Sequence, residues 1–166
     1  MTQEAETLRR ELEEAFRSRG HLYRVLLEEL ESELGLDRAT AVMRRALERR
    51  GEEVATGLFQ DTPPDPIAVG DRFLSVSPDN GRLYPHEVEK KGDTIEVRVH
   101  RCPLKDSWLA SGLSPERIEV LCKLAGSFDK GLFEAAGVAF SNKTWSQERG
   151  GGCCWIKLER CETAAI

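Results

Sequence analysis

The sequence predicts an α+β fold, with an N-terminal helical layer packed on an antiparallel β-sheet and helices between the later strands. Three features predict it. Through residues 1–60, apolar side chains recur every three or four positions, the period of a helix that buries one face. The segment Pro63-Pro64-Asp65-Pro66 then breaks the pattern, because proline fixes φ and removes a backbone donor. Beyond it, apolar and polar residues alternate, the period of a half-buried strand.

Taken in order, Leu8, Leu12, Ala15 and Phe16 form the stripe of a first helix over 3–19, which Gly20 closes. A second helix runs from Leu22 to Leu34 on Val25, Leu26 and Leu30, with Gly35 ending it. A third begins at Asp37 as N-cap and passes Val42, Met43, Ala46 and Leu47 towards Leu58. Its interior Gly51 leaves open whether the helix is split there. Residues 61–70 read as a proline-rich connector, Arg72–Val76 as a short strand and Pro78-Asp79-Asn80-Gly81 as a turn.

A hairpin follows, Leu83–Glu89 and Thr94–Arg101 around Lys90-Lys91-Gly92-Asp93. A two-residue Lys91-Gly92 turn pairs Val88 with Ile95 and His86 with Val97. Ile95, Val97 and Val99 then share the apolar face, while Glu96, Arg98 and His100 share the polar one, which Cys102 continues if the strand runs that far. A short helix spans Lys105 to Ala110. Ser114-Pro115-Glu116 opens another, through Ile118, Leu121, Cys122 and Ala125, with Ser as N-cap and Pro at the first helical position. Gly126 can interrupt it, in which case a further helix over Ser127–Ala136 carries Asp129 in its first turn. Gly150-Gly151-Gly152 leads into a last strand, Cys153–Glu159, where Cys154, Ile156 and Leu158 share a face. The 166 residues make one domain, divided into a helical part at 1–60, the connector at 61–70 and an α+β part at 71–166.

Charge and composition narrow the function. With 40% hydrophobic and 32% charged residues and a net charge of −5, no basic face offers itself to phosphates, which disfavours nucleic acid as a partner. No apolar run reaches membrane-spanning length, and the acidic start Met1-Thr2-Gln3-Glu4 is not a signal peptide. A cytoplasmic protein with a small-molecule partner is expected, with homo-oligomerisation left open. Five cysteines, an odd number, argue for free thiols. Adjacent Cys153 and Cys154 are expected on opposite faces of a strand, poorly placed to bridge each other.

Those thiols carry the candidate chemistry. Cys102 beside His100 and Arg98 is a thiol whose pKa basic neighbours would depress, making it nucleophilic; otherwise it is a strand-end residue on a polar stripe. Cys122 lies on the core face of its helix, where an inert thiol is the default. Asp129 becomes an acid or base only if it faces a pocket. Convergence of His100, Cys102, Cys122 and Cys154 would make a divalent-metal site, although no Cys-x-x-Cys knuckle accompanies them. No cofactor is required: phosphate loops, dinucleotide fingerprints and a Gly-x-Ser-x-Gly elbow are absent.

Three segments carry a family resemblance: Arg101-Cys102-Pro103-Leu104 after a strand, Ser114-Pro115-Glu116 leading to Leu121-Cys122, and the glycine run into Cys154-Trp155-Ile156-Lys157-Leu158-Glu159. With Ala46-Leu47-Glu48-Arg49-Arg50-Gly51 in the helical part, the chain resembles the L-2-amino-thiazoline-4-carboxylic acid hydrolase-like family. The resemblance implies a small α+β protein that opens a C–N bond in a small cyclic amidine or amide. It places the family's recurrent cysteines at Cys102, Cys122 and Cys154. An acidic residue tends to follow the helix cysteine closely; position 125 is Ala here, and the nearest acid is Asp129. On this reading Cys102, His100 and Asp129 are catalytic, and Cys122, Cys154, Arg98 and Trp155 contact the substrate. The ending is also similar to 4-vinyl reductase-type small-molecule-binding domains, which makes a non-catalytic binder or metal-binding sensor the alternative.

Overall fold

The computed structural model describes residues 2–150 and 152–161, so Gly151 of the glycine run lies outside the described residues. Among them are five α-helices and one four-stranded antiparallel sheet, an α+β arrangement with the long helices first.

Gly20 does not end the first helix: α1 runs unbroken from Gln3 to Leu34. The glycine serves close approach instead. A Cβ there would lie 2.5 Å from Ser107 Oγ and 3.2 Å from Leu104 Cα of a later helix. Gly35, at φ +76°, turns the chain directly into α2, Leu36–Leu58, so Asp37 sits in the first turn and is not the cap. Gly51 likewise stays inside α2. Its face meets the Phe128 carbonyl, and Gly131 opposite meets the Glu48 carbonyl, so two glycines let α2 and the later helix over Pro115–Ala135 touch backbone to backbone.

The expected strand at Arg72–Val76 is a helix, α3, Pro66–Ser75, and the connector shrinks accordingly. Asp65 caps it, its Oδ1 accepting from Ile67 N at 3.1 Å and Ala68 N at 3.0 Å, and Pro66 occupies the first turn, where no donor is missed. Capping chemistry at the helix start outweighs the apolar alternation at its end. A 3₁₀ turn follows at Pro78–Gly81.

β1 (His86–Lys91) and β2 (Thr94–Val99) form the hairpin with Gly92-Asp93 as its turn, so Lys91 pairs with Thr94, Val88 with Val97 and His86 with Val99. The register is displaced by two residues from the predicted one. An even displacement preserves parity, which is why Ile95 and Val97 still face inward and are buried. β2 stops at Val99. Cys102 extends no strand and instead caps α4, Pro103–Ala110. α5 runs from Pro115 to Ala135 without a break at Gly126, with Ser114 capping as predicted. Asp129 is therefore deep in α5, far from any first turn. β3, Val138–Lys143, was not foreseen; it pairs with β4, Cys154–Arg160, giving the sheet order β1-β2-β4-β3.

Two cores result. One joins the inner sheet face, Ile95, Val97, Ile156 and Leu158, to α3 and the end of α5 through Val69, Leu132 and Phe133. The other is helical, with Leu27, Met43, Leu104, Trp108 and Leu121. Trp108 is completely buried, and its truncation would cost about 3–5 kcal/mol. α5 contributes to both cores, so the face between its two ends lies over the seam.

Candidate functional site

That seam is hollow. A cavity of about 610 Å³ opens between the cores, walled by Leu104, Trp108 and Cys122 on one side and Val97, Leu132 and Ile156 on the other. On α5 the spacing Cys122, Ala125, Gly126, Asp129 keeps one helical face turned into it. Gly126 admits β3: a Cβ there would lie 2.5 Å from Asn142 Nδ2, and Asn142 and Thr144 line the wall beyond.

Of the predicted site residues, Cys102, Cys122, Cys154 and Asp129 meet at this cavity. His100 does not. It lies in the link after β2, its Nε2 3.3 Å from Glu87 Oε1 across the hairpin. Arg98 and Trp155 pair across strands on the outer sheet face and line a separate depression of about 300 Å³. There Trp155 Nε1 donates to Glu96 at 3.3 Å, and Lys143 stacks 5.1 Å from its ring. No group of three His, Cys, Asp or Glu side chains among the described residues could hold a metal ion, the set His100, Cys102, Cys122 and Cys154 included.

Sequence reasoning also missed contributors. Phe16, Arg19 and Tyr23 reach the cavity from α1, with Tyr84 beside them. Their i, i+3, i+7 spacing is the signal that was available, a cationic and aromatic stripe where a helix stripe is otherwise leucine. Tyr84 feels the charges of Cys102, Arg19 and Asp129, though burial is the main cause that pushes its hydroxyl pKa up. Arg19 lies 4.6 Å from the Phe16 ring centroid, and no carboxylate among the described residues pairs with it.

The thiols are not equivalent. Cys102 is pushed below its ordinary pKa by a hydrogen bond from Cys153; burial opposes this, and backbone N–H groups of Lys105 and Leu104 at the start of α4 assist. Cys153, bonded to both Cys102 and Cys154 and buried, is pushed up, and burial pushes Cys122 up. Cys153 and Cys154 do not point apart as expected: Cys153 precedes the strand, and its Sγ lies 3.2 Å from that of Cys154. Burial works against the charge of Lys105, but Asp106 Oδ1 at 2.9 Å outweighs it, so a cation persists near the pair.

Asp129 has no hydrogen bond or ion pair among the described residues, and desolvation alone pushes its carboxyl up to about 7. Its remaining accessible surface faces the cavity. A thiol favouring its anion and a carboxyl favouring its proton thus share one chamber, the separated pair of titrations that nucleophilic and acid catalysis need.

By sequence, residues 15–158 match the L-2-amino-thiazoline-4-carboxylic acid hydrolase family. No curated protein matches the chain. Among solved structures it is similar to subunit 3 of the trafficking protein particle complex from Naegleria fowleri, covalently bound to palmitic acid, with a TM-score of 0.56 and 10% identity over 92% of this chain and 98% of that one. It is also similar, at a TM-score of 0.48 and 14% identity over 87% of this chain and 74% of that one, to the phenol-responsive sensory domain of the transcription activator PoxR with phenol. At 10% identity the likeness to the trafficking-complex subunit concerns the fold alone. No helix among the described residues is long and apolar enough to cross a membrane.

Proposed function

The chain belongs to the L-2-amino-thiazoline-4-carboxylic acid hydrolase family, and on that premise we propose that its cavity hydrolyses a C–N bond of a small cyclic amidine or amide carrying a carboxylate, in the cytoplasm. The observation that carries this reading is the unpartnered Asp129 carboxyl, with its pKa near 7, facing the same cavity as the Cys102 thiol.

Cys102 Sγ adds to the sp2 amidine carbon. The ring C–N bond breaks as its nitrogen takes the Asp129 proton. Water then attacks the sulfur-linked carbon and gives its proton back to Asp129, and the Cys102 thiolate leaves. The backbone N–H groups at the start of α4 hold the Cys102 thiolate before it attacks and when it departs. Arg19 receives the substrate carboxylate at the chamber wall, as a guanidinium suits.

The experiment is turnover of 2-amino-thiazoline-4-carboxylate, followed by mass spectrometry of the opened product, alongside calorimetric binding. Wild type opens the ring, while Cys102→Ser and Asp129→Asn lose turnover and keep substrate binding. Wild-type protein that binds the ring but never opens it overturns the catalytic reading.

A second reading has its own observation. The cavity is mostly apolar, with Phe16, Val54, Leu58, Phe73 and Leu74 in its wall, and is far larger than one five-membered ring needs. A non-catalytic binder of an apolar small molecule fits that wall, and for it Cys102→Ser leaves ligand affinity unchanged.

A further inference from the structure

The depression of about 300 Å³ on the outer sheet face takes no part in the steps above. Its floor is a row of cross-strand partners. Arg98 of β2 and Lys143 of β3 both pair with Trp155 of β4, one from each side, so the register sets a guanidinium and an ammonium beside one indole on the same face. That indole is held at both ends. Its N–H donates to Glu96 at 3.3 Å, and the Lys143 ammonium lies 5.1 Å from its ring centroid.

The loop between β3 and β4 closes the other side. It brings Trp145 and a third cation, Arg149, to the rim. Gln147 N donates to Glu119 Oε1 at 3.2 Å and Arg149 Nε to Ser146 Oγ at 3.0 Å, which fixes the loop, and Thr144 at its start is buried. No carboxylate among the described residues lines the depression, and none pairs with Arg98, Lys143 or Arg149. In a chain of net charge −5, this hollow carries a local field opposite in sign to that of the whole molecule.

We propose that the depression is a second ligand site, which takes a small aromatic anion. The flat ring lies against the indoles of Trp145 and Trp155, whose faces suit stacked or edge-on contact. A carboxylate or phosphate at its end meets Arg98, Lys143 and Arg149, and a guanidinium can grip either group with two parallel bonds. One ring with one acidic group suits a hollow at the small end of the ligand-pocket range. Val99, Cys153 and Cys154 line both this depression and the main cavity, so the second site lies against the thiol-bearing wall of the first. Its ligand recognition is independent of the chemistry there.

The three tryptophans of the chain make the test local. Trp145 and Trp155 line the depression and Trp108 the main cavity, so their indole N–H signals in a proton–nitrogen correlation spectrum report which hollow fills. Trp145→Phe and Trp155→Phe assign the signals, and Trp108 follows by elimination. The full chain is titrated with benzoate and phenyl phosphate, with benzyl alcohol as the uncharged ring and inorganic phosphate as the anion without a ring. At least one aromatic anion is expected to shift the Trp155 signal saturably while that of Trp108 stays in place. Arg98→Gln and Lys143→Gln, both at exposed positions, should each weaken that binding by about tenfold, the size of one charge-assisted contact. Arg19→Ala, in the main cavity, should leave it unchanged.

Three results overturn the proposal: no saturable shift of Trp155 with either aromatic anion at millimolar concentration, a shift that moves Trp108 and is lost in Arg19→Ala, or binding of benzyl alcohol or inorganic phosphate as tight as that of the aromatic anions. Neither aromatic probe has a ring C–N bond to open, so failure of this site and failure of hydrolysis are read separately.

Discussion

Trp108 donates its indole N–H to the Gly20 carbonyl at 2.8 Å, tying the helix that Cys102 caps to the middle of α1. The bond exists because Gly20 lets α4 approach α1 so closely, and the cavity wall formed by Trp108 and Leu104 depends on that approach.

Gly20→Ala would drive a methyl into Ser107 Oγ, which is itself held to the Leu104 carbonyl at 2.6 Å. Such overpacking costs about 1–3 kcal/mol. Gly57→Ala is the control: nothing lies within 4 Å of its Cβ position in α2, so alanine should stabilise by about 0.5–1 kcal/mol. Urea unfolding of both variants checks the contrast, and equal shifts would contradict it.

Stability should fall as pH rises through the Asp129 window. An ordinary aspartate releases its proton near 3.8, whereas Asp129 holds its own to about 7. Between those values the folded protein binds a proton that the unfolded chain has released, so raising pH favours unfolding, and the effect is complete above 7. This one group contributes a slope of at most about 1.4 kcal/mol per pH unit. Asp129→Asn should flatten it, seen as a smaller difference between urea midpoints at pH 5 and pH 8. Turnover, which needs the protonated carboxyl, should decline above pH 7.

Native alkylation by iodoacetamide at pH 7 should reach exposed Cys161 and the anion-favouring Cys102, while buried Cys122, its pKa pushed up, reacts only in denaturant. Peptide mapping over time reads the order. Cys122 reacting as fast as Cys102 would contradict the assignment.

Arg19→Ala should raise KM for a carboxylate-bearing substrate by about tenfold, the size of one charge-assisted contact, and change kcat little. A kcat loss without a KM change would place Arg19 in the chemistry and not in binding.

Helix amphipathicity and strand parity were legible because they follow from local periods. Ile95, Val97, Ile156 and Leu158 were placed inward even though the hairpin register was displaced, since a two-residue slip leaves the faces unchanged. What the glycines do was not legible: Gly20, Gly51 and Gly126 read as helix breakers but serve helix and sheet contacts that only tertiary packing creates. Cys102, Cys122, Cys154 and Asp129 line one cavity; for Cys122 and Cys154 the family resemblance was the signal, since residue type alone favoured an inert core thiol at Cys122. Arg98 and Trp155 lie on the outer sheet face, away from the cavity, because β2 ends at Val99 and Cys102 does not continue the polar face of the strand. Tyr84 carried no motif, and β3 is short and lacks a continuous apolar alternation.

The central claim is that Cys102 attacks the substrate carbon. The most direct measurement is the intact mass of the protein, acid-quenched during a single turnover of 2-amino-thiazoline-4-carboxylate and mapped by peptide. The account predicts a transient added mass on Cys102 that appears before product and discharges in water, absent from Cys102→Ser. Ring opening with Cys102 unmodified at every time point, or undiminished in Cys102→Ser, would contradict it.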